Sequence, residues 1–434
     1  MVHSLEALKS GQLIGSKTLK LACGLETFPE EIISLSETLE VLDLSDNKLT
    51  SLPESIARLK HLRIIFFARN NFTEFPSILA KCPNLNMIGF KSNQIKTVPE
   101  QAFPPLLNWL ILTDNKIEKL PKSIGDCTLL QKCALAGNLI EELPIEMKAC
   151  MNLELIRFSA NKLKSIPDWF FELPKLSWVA FGGNPAAAAK IELQPDFEAF
   201  DWNDFSVKEL LGEGASGFIS KAFWKSKNKD IAIKVFKGDV TSDGLPDDEM
   251  AISISAGAHE NLIPVLGKIK NHPEDKIGLI MTLISPDYVN LGNPPSLQTC
   301  TRDVFDETSV FNADELLKIA KSMASVCQQL HKKGINHGDL YAHNILVNAS
   351  ADCLLGDFGA ASFYDVNSGL AYAVERVEVR AYACLVEDVL GLVRENDMNT
   401  ELLVKWRKLI ADCTDVNVKS RPGFSEILEV LKVF

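Results

Sequence analysis

The sequence predicts a multidomain protein in which an α/β solenoid of stacked repeats is followed by an α+β domain. Three observations lead to this fold class. The chain has 434 residues, more than a single hydrophobic core normally serves. In the first half an asparagine recurs every 22 or 23 residues. The second half opens with a glycine-rich pattern between two strand-like runs, so we expect at least two domains of different architecture.

The composition, 46% apolar and 24% charged, is that of a globular protein. The net charge is −12, and most of the acidic excess lies after residue 200, which argues against nucleic acid as a partner. The ten cysteines include no Cys-x-x-Cys pair, so we expect reduced thiols in a cytoplasmic protein. No apolar signal core and no run of eighteen apolar residues occurs, so we expect neither export nor a membrane span.

Residues 39–53, 62–76 and 85–99 share one template, apolar at positions 1, 4, 6, 11 and 14, with asparagine at position 9 and proline at position 15. This period resembles the leucine-rich repeat. The resemblance implies a solenoid over residues 1–184, with seven to eight repeats of about 23 residues and an N-terminal cap near residues 21–23. The template asparagines are Asn47, Asn70, Asn93, Asn115, Asn138, Asn161 and Asn184.

One repeat is too small to bury its own apolar residues, so stacked repeats have to share one core. We expect the asparagine side chains to form a ladder that satisfies backbone groups where each strand ends. Cys82, Cys127 and Cys150 each lie three residues before the first leucine of a repeat. This regular placement indicates packing and argues against a reactive or metal-binding thiol.

Positions 3 and 5 of the template lie on the strand face, where solenoids bind their partners. Polar residues are expected there, yet many of these positions hold large apolar residues. Exposed apolar patches mark partner sites, so we predict that this face binds a protein partner or the second half of the chain. The alternative is that these side chains pack against one another across the strands. The residues concerned are Ile64, Phe66, Met87, Trp109, Ile111, Leu155 and Trp178.

Residues 185–200 break the repeat period with Pro185 and a run of alanines. The segment lacks the Gly/Ser-rich or charged sequence of a long flexible tether. We predict a capping turn and a short connection there, followed by a second domain over residues 201–434.

The second domain opens with a strand-like run at 205–211, the glycines Gly212, Gly214 and Gly217, and an alternating run at 218–224. A Gly-x-Gly-x-x-Gly pattern alone is weak evidence, because dinucleotide-binding folds also use it. Those folds need a helix directly after the glycines. A second strand instead predicts a hairpin whose backbone amides can approach phosphates.

Residues with the chemistry of phosphoryl transfer follow. Asp339 and Asn344 lie in the stretch 335–344, and Asp357 begins an Asp-Phe-Gly sequence. One carboxylate can orient an attacking hydroxyl, while an amide and a second carboxylate can hold Mg²⁺ against ATP phosphates. With the glycine-rich hairpin and the Ile-Ala-Ile-Lys strand ending at Lys234, this stretch resembles a protein kinase. The resemblance implies a bilobal α+β fold with ATP and Mg²⁺ as cofactors.

The resemblance also implies residue roles. Asp339 would accept the proton of the substrate hydroxyl, Asn344 and Asp357 would bind Mg²⁺, and Lys234 would hold the α and β phosphates. The residues implied to bind ATP are Leu211, Gly212, Gly214, Ser216, Gly217, Ile219, Ala232, Lys234, Glu249, Met281, Leu283 and Leu346.

Within that set, Glu249 is the candidate to pair with the lysine, and Asp248 is the alternative. Met281 would stand beside the adenine, and backbone groups of 282–284 would bond its edge. An amphipathic helix is predicted over 314–333.

Several residues depart from the family pattern. Gly338 replaces an arginine that in many kinases pairs with a phosphorylated activation loop, so we expect no switching by such a phosphate. Tyr341 replaces a lysine near the transferred phosphate, and His343 replaces an acidic residue, so we expect slow turnover. Glu378 stands where a long buried helix usually has aspartate, and only twenty residues separate it from Asp357.

This shortened activation segment contains no clear Ala-Pro-Glu sequence and leaves little room to dock a peptide. Glu375 is the candidate to replace the missing glutamate. We therefore predict a buried ion pair between Glu375 and Arg421.

Together these patterns predict an ATP-dependent protein kinase that phosphorylates serine or threonine of a protein recruited or sensed by the repeats. An atypical kinase or ATPase with a non-peptide substrate is one alternative. A pseudokinase scaffold is another, although retention of all four predicted catalytic and Mg²⁺-binding residues argues against it. For His337, Asp339 and His343, a bound transition metal is a further alternative.

Overall fold

The protein forms two compact units. The structure, a computed structural model, describes residues 2–187, 197–214, 216–238, 241 and 243–434. The first unit consists of Met1–Leu173 and Asn184–Ala186, and the second of Pro174–Gly183 and Ala187–Phe434. This division differs from the predicted boundary at residue 184, because residues 174–183 pack within the second unit. Most of the predicted connection at 185–200 lies outside the described residues.

The first unit is built from short strands that pair in parallel in chain order. The middle residue of each strand, such as Leu42 or Ile65, is fully buried in the shared core. A short helix, α1 (Leu5–Lys9), precedes them. The strands are β1 (Thr18–Lys20), β2 (Val41–Asp43), β3 (Ile64–Phe66), β4 (Met87–Gly89), β5 (Trp109–Ile111), β6 (Lys132–Ala134) and β7 (Leu155–Arg157). The predicted repeat solenoid is confirmed.

The predicted asparagine ladder is confirmed as well. Asn70 Nδ2 donates to the backbone oxygens of Leu44 at 2.9 Å and Phe67 at 3.1 Å, while its Oδ1 accepts the Leu49 N–H at 2.9 Å. The same three bonds recur at Asn93, Asn115, Asn138 and Asn161. A buried unpaired backbone group costs about 1–3 kcal/mol, so each asparagine ties its repeat to the preceding one.

The repeat cysteines are packing residues. Cys82, Cys127 and Cys150 are buried at 0–3% exposure. Burial raises the pKa of their thiols to about 11, 12 and 11, respectively. Such thiols remain protonated and unreactive near neutral pH, in agreement with the prediction.

The strand face carries the large apolar residues predicted there, but they are not exposed. Ile64, Met87 and Leu155 are only 9%, 4% and 4% exposed. These side chains are therefore covered and do not form an exposed apolar patch, while the binding of a protein partner or of the second half of the chain by this face stays a prediction. The half-buried members of the set are Phe66, Trp109 and Ile111.

Neighbouring strands account for part of this burial. The ring of Phe66 lies over Gly89, where an added Cβ would be 2.8 Å from the ring. Lys132 Nζ lies 4.1 Å from the centre of the Trp109 ring on the adjacent strand. Parallel strands are only about 4.8 Å apart, so large side chains on one face cover their neighbours.

The second unit contains a six-stranded sheet. Its strands lie side by side in the order Phe205–Glu213, Gly217–Trp224, Lys229–Phe236, Gly278–Met281, Val265–Lys270 and Ala199–Asp201. Its core includes Trp224, Ile233 and Ile280, all at most 3% exposed. The strands of this unit are β8 (Trp178–Ala180), β9 (Ala199–Asp201), β10 (Phe205–Glu213), β11 (Gly217–Trp224), β12 (Lys229–Phe236), β13 (Val265–Lys270), β14 (Gly278–Met281), β15 (Val289–Asn290), β16 (Ile335–Asn336), β17 (Ile345–Val347), β18 (Cys353–Leu355) and β19 (Ser362–Phe363). The predicted hairpin around the glycines is the β10–β11 pair.

The described residues of the second unit also form five α-helices. They are α2 (Pro246–Ala256), α3 (Ala313–Lys332), α4 (Ala371–Leu390), α5 (Thr400–Cys413) and α6 (Phe424–Leu431). Helix α2 starts with a proline and three acidic residues, which suit a helix N-terminus. Helix α3 begins with a capping box at Asn312 and Glu315, and its buried stripe matches the predicted amphipathic pattern. A sheet next to a group of helices is the predicted α+β architecture.

Among the described residues, no helix is both long enough and apolar enough to span a membrane.

Candidate active site

The glycine-rich hairpin presents bare backbone at its tip. A Cβ added at Gly212 or Gly214 would meet no other atom within 4 Å, whereas one at Gly217 would lie 2.5 Å from the backbone oxygen of Val235. Gly217 therefore allows β11 to approach β12, and the first two glycines leave space for a ligand next to the hairpin. Leu211, at the start of this turn, is 50% exposed.

The next predicted residue, Ser216, is buried inside the hairpin at 7% exposure. Its backbone oxygen accepts the N–H of Lys237 at 2.9 Å. This bond fixes the base of the glycine-rich turn to the end of β12.

Strand β12 carries Lys234 into the interior, opposite Ile219 of β11. The Lys234 ammonium contacts Glu249 Oε1 on α2, and both residues are less than 10% exposed. Burial raises the pKa of Glu249, Lys234 opposes that rise, and the charge of Asp357 adds to it. Asp248, the alternative partner, has a buried Oδ2 that bonds to no group in the described part of the chain. The structure thus places Glu249, and not Asp248, against Lys234.

Asp339 and Asn344 are in direct contact. Asn344 Nδ2 donates to the backbone oxygen and to Oδ2 of Asp339, both at 2.9 Å. Because the Asn344 amide nitrogen makes both of these bonds, its side-chain oxygen faces away from Asp339 and is available as a metal ligand.

The β17–β18 hairpin brings Asn344 and Asp357 to one end. Ile345 pairs with Leu355, so Asn344 precedes one strand where Asp357 follows the other. Asp357 is exposed and has a φ of +51°, a left-handed conformation in which its Oδ1 accepts the Gly359 N–H at 3.1 Å. Two side chains thirteen residues apart in sequence thus share one edge.

A buried histidine supports this edge from below. His337 is fully buried, and its Nε2 lies 3.0 Å from the backbone oxygen of Gly356. Its ring packs against Phe358 with 5.2 Å between ring centres. His337 therefore links the loop that carries Asp339 to the turn that carries Asp357.

Helix α4 holds the same loop through Glu378. The carboxylate accepts the N–H of His337 at 3.2 Å, the N–H of Gly338 at 2.7 Å, and lies 2.7 Å from His331 Nε2. Burial alone would raise the pKa of Glu378, but the hydrogen bond and charge of His331, with help from the Gly338 amide, lower it. Glu378 is thus a buried anion whose acceptors are occupied by the loop backbone.

The predicted adenine side lies where β14 ends. Ala232 on β12 pairs with Met281, the last residue of the strand that leads into residues 282–284. The Thr282 N–H donates to Pro264 O at 3.0 Å, so this amide is already used within the protein, and the predicted bonds from 282–284 to the adenine would have to come from the other backbone groups. In the described chain, the Leu283 N–H has no protein acceptor and stays available. Leu346, on β17, is half-buried.

Tyr341 and His343, two of the residues that depart from the family pattern, lie in one cluster. The Tyr341 ring stacks on Trp178 at 4.4 Å and on His343 at 5.0 Å. His343 Nδ1 lies 2.7 Å from Asp303 Oδ1, and the backbone N–H of His343 donates to Asp303 Oδ2 at 3.1 Å. Burial would lower the pKa of His343, but the bond and charge of Asp303 raise it.

Sequence reasoning missed the partner of His343. Asp303 lies in an irregular segment without a motif, so no local signal points to it. Trp178 belongs to the strand face for which the sequence predicts binding to a protein partner or to the second half of the chain, and its side chain contacts Tyr341 within the second unit.

The predicted ion pair between Glu375 and Arg421 is wrong. Glu375 Oε2 pairs with Arg376 at 2.5 Å, and its Oε1 accepts the Phe424 N–H at 3.0 Å. Arg421 instead donates to the backbone oxygens of Asp415, Arg376 and Pro174. Arg421 Nη2 donates to the Pro174 carbonyl, and this bond takes the place of the expected bond to a carboxylate.

The candidate site residues suit Mg²⁺ better than a transition metal. In the described residues, no group of three His, Cys, Asp or Glu side chains could hold a metal, which disfavours the transition-metal alternative at His337, Asp339 and His343. The Asn344 amide oxygen and the exposed Asp357 carboxylate are hard oxygen donors, the kind that Mg²⁺ binds together with phosphates.

Comparisons with known proteins agree with the geometry. A family model described as "Protein kinase domain" matches residues 205–384, and one described as "Leucine rich repeat" matches residues 37–95. A probable serine/threonine-protein kinase of Dictyostelium discoideum is 26% identical over 187 residues, covering 42% of this chain and 11% of the relative. A probable myosin light chain kinase of the same organism is 29% identical, covering 41% and 35%.

A tyrosine-protein kinase receptor of Danio rerio is 26% identical over 197 residues, covering 44% of this chain and 22% of the relative. The matches thus span about a third or less of each relative's length. A solved leucine-rich-repeat protein of Leptospira interrogans is 28% identical with a TM-score of 0.34, covering 40% of this chain and 50% of that one.

Proposed function

Since the chain carries leucine-rich repeats and a protein kinase domain, we propose that it transfers the γ-phosphate of ATP to a serine or threonine of a protein. The observation that carries the proposal is the paired arrangement of the polar residues. Lys234 contacts Glu249, and Asp339 contacts Asn344 at the edge that Asn344 shares with Asp357. A phosphoryl-transfer site needs these charges preorganised, because positioning and electrostatics supply most of its rate.

Each residue has a proposed task. Lys234, held by Glu249, binds the α and β phosphates beneath the glycine-rich hairpin. Asp339 orients the acceptor hydroxyl and takes its proton. Asn344 and Asp357 hold Mg²⁺, which when bound neutralises charge on the phosphates. The Leu283 N–H and the side chains of β11, β12, β14 and β17 bind the adenine.

Serine or threonine is proposed as the acceptor because one of the similar proteins is named a probable serine/threonine-protein kinase. The repeats are proposed to recruit or sense the protein partner, the common use of solenoid surfaces. We propose a cytoplasmic protein, since nine of the ten cysteines are buried free thiols.

One observation favours a second candidate. Only residues 364–370 connect β19 to α4. This segment is too short to form a platform for an extended peptide. The same site would then transfer phosphate to a small molecule or to water, as an atypical kinase or ATPase does.

The purified chain, incubated with γ-labelled ATP and Mg²⁺ alone and with protein mixtures, separates these candidates. Label on serine or threonine that is lost in Asp339→Asn supports the proposal. Label on a small molecule, or phosphate release alone, supports the second candidate. No turnover above the level of Asp339→Asn would contradict both.

A further inference from the structure

The chain segment 174–183, called here the bracing segment, belongs to the second unit although it continues the repeat sequence. It contains β8 and the last large residue of the predicted partner face. The described contacts of this segment involve the loop around Asp339, β19, and the helical part of the unit. Its place in the fold therefore bears directly on the candidate active site.

Trp178 makes the central contact. Its side chain is 1% exposed, and its Nε1 donates to the backbone oxygen of Leu340 at 3.1 Å. Its ring lies parallel to Tyr341, with 4.4 Å between centres and 8° between planes. Leu340 and Tyr341 directly follow Asp339, so Trp178 holds the backbone that positions the proposed base.

The backbone of the bracing segment makes further contacts on both sides of the same loop. Asn336 Nδ2 donates to Val179 O at 2.8 Å. Gly338 packs so closely that an added Cβ would lie 2.4 Å from Val179 O. The hydroxyl of Ser362 on β19 accepts the N–H groups of residues 181 and 182, each at 2.9 Å.

Two arginines anchor the start of the bracing segment. Arg421, itself 1% exposed, donates to Pro174 O at 2.6 Å. Arg380 of α4 donates to Lys175 O at 2.9 Å and to Ser177 Oγ at 2.6 Å. The segment is thus fastened at its start, its centre and its end, all within one unit.

We propose that Trp178, as the central residue of the bracing segment, is a positioning residue that holds Asp339 in place for phosphoryl transfer. The inference rests on the proposed function. It gives the last repeat strand a role inside the catalytic domain and agrees with one of the two contacts that the sequence predicted for Trp178, a protein partner or the second half of the chain.

The proposal explains two departures from the kinase pattern. Kinases commonly order this region through a phosphorylated activation loop that pairs with arginine. Here the short connection 364–370 leaves no such loop, and Gly338 supplies no arginine. The bracing segment contacts the loop around Asp339 in place of a phosphorylated activation loop. The loop is therefore ordered without phosphorylation.

The test compares the full chain with Trp178→Ala, Trp178→Phe and a control, Trp169→Ala, which truncates a half-buried tryptophan in the first unit. We expect Trp178→Ala to lower kcat by about tenfold or more while the KM for ATP stays within about twofold. Trp178→Phe keeps an aromatic ring to stack on Tyr341 and loses the indole N–H together with the second ring, so it should retain more of the rate than Trp178→Ala. Trp169→Ala should match the wild type.

Hydrogen exchange of the amides in residues 337–344 provides a readout independent of activity. Trp178→Ala should speed exchange in that loop and leave β12 and α3 unchanged. Unchanged loop exchange, or equal acceleration throughout the second unit, would overturn the proposal, as would an unchanged kcat in a folded Trp178→Ala. Should the alanine variant not fold, Trp178→Phe and Trp178→Leu are compared in the same two assays.

The exchange measurement also separates this proposal from the proposed function. A wild-type chain without any phosphoryl transfer contradicts the function. Faster loop exchange in Trp178→Ala would then still show that the segment braces the loop, and unchanged exchange would remove the bracing role.

Discussion

Gly338→Ala tests the close packing of the loop against residue 179. Gly338 has a φ of +71°, in the left-handed region that favours glycine. An added Cβ would lie 2.4 Å from Val179 O and 2.8 Å from Ala360 O. Both neighbours are backbone atoms, so no flexible side chain can move away, and the segments themselves have to shift.

Two costs add at this position. The left-handed conformation costs an alanine about 1–2 kcal/mol. Overpacking in a buried site typically costs a further 1–3 kcal/mol or so. We therefore expect Gly338→Ala to lower the free energy of unfolding by about 2–5 kcal/mol, a large share of the roughly 5–15 kcal/mol of a typical protein.

Gly238→Ala is the matched control, since Gly238 also has positive φ (+91°) in the same unit but an added Cβ there meets nothing within 4 Å. Urea unfolding of both variants, followed by tryptophan fluorescence, isolates the crowding contribution as their difference. We expect that difference to be about 1–3 kcal/mol. Equal midpoints for the two variants would refute the argument that the bracing segment crowds position 338. A tolerated Gly338→Arg would refute it too.

Three further changes test the supports of the site. Glu249→Gln leaves Lys234 buried without its counter-charge, so the free energy of unfolding should fall by about 3–5 kcal/mol and labelled-phosphate transfer should drop; an unchanged melting temperature contradicts the pair. The lowered pKa of Glu378 means that its stabilisation is present above its ordinary pKa and is lost as pH falls. The melting-temperature gap between wild type and Glu378→Gln should therefore shrink as the pH falls below the ordinary glutamate pKa of 4.5, and a constant gap refutes this. Arg421→Lys removes donors to buried carbonyls and should cost about 2–4 kcal/mol in urea unfolding; a loss below about 0.5 kcal/mol would show that the bond to Pro174 contributes little.

The sequence alone determined the features that rest on local pattern. The repeat period fixed the places of the strands and of the asparagines, because each repeat needs the same apolar spacing and the same backbone partner. The alternation after Gly217 was enough to distinguish a hairpin from a helix. The Lys234 strand and the Asp339, Asn344 and Asp357 spacing pointed to one chemistry because each residue type has few other reasons to occupy that pattern.

Only the tertiary structure decided which of these residues meet and what covers them. Glu249 and Asp248 are adjacent in sequence, and the orientation of α2 selects the first. Trp178 and Leu340 are 162 residues apart, so their contact leaves no periodicity that a sequence can show. Their contact depends on how 174–183 packs within the second unit. Composition likewise could not show that the apolar strand face is covered, because burial depends on neighbouring strands and not on the residue itself.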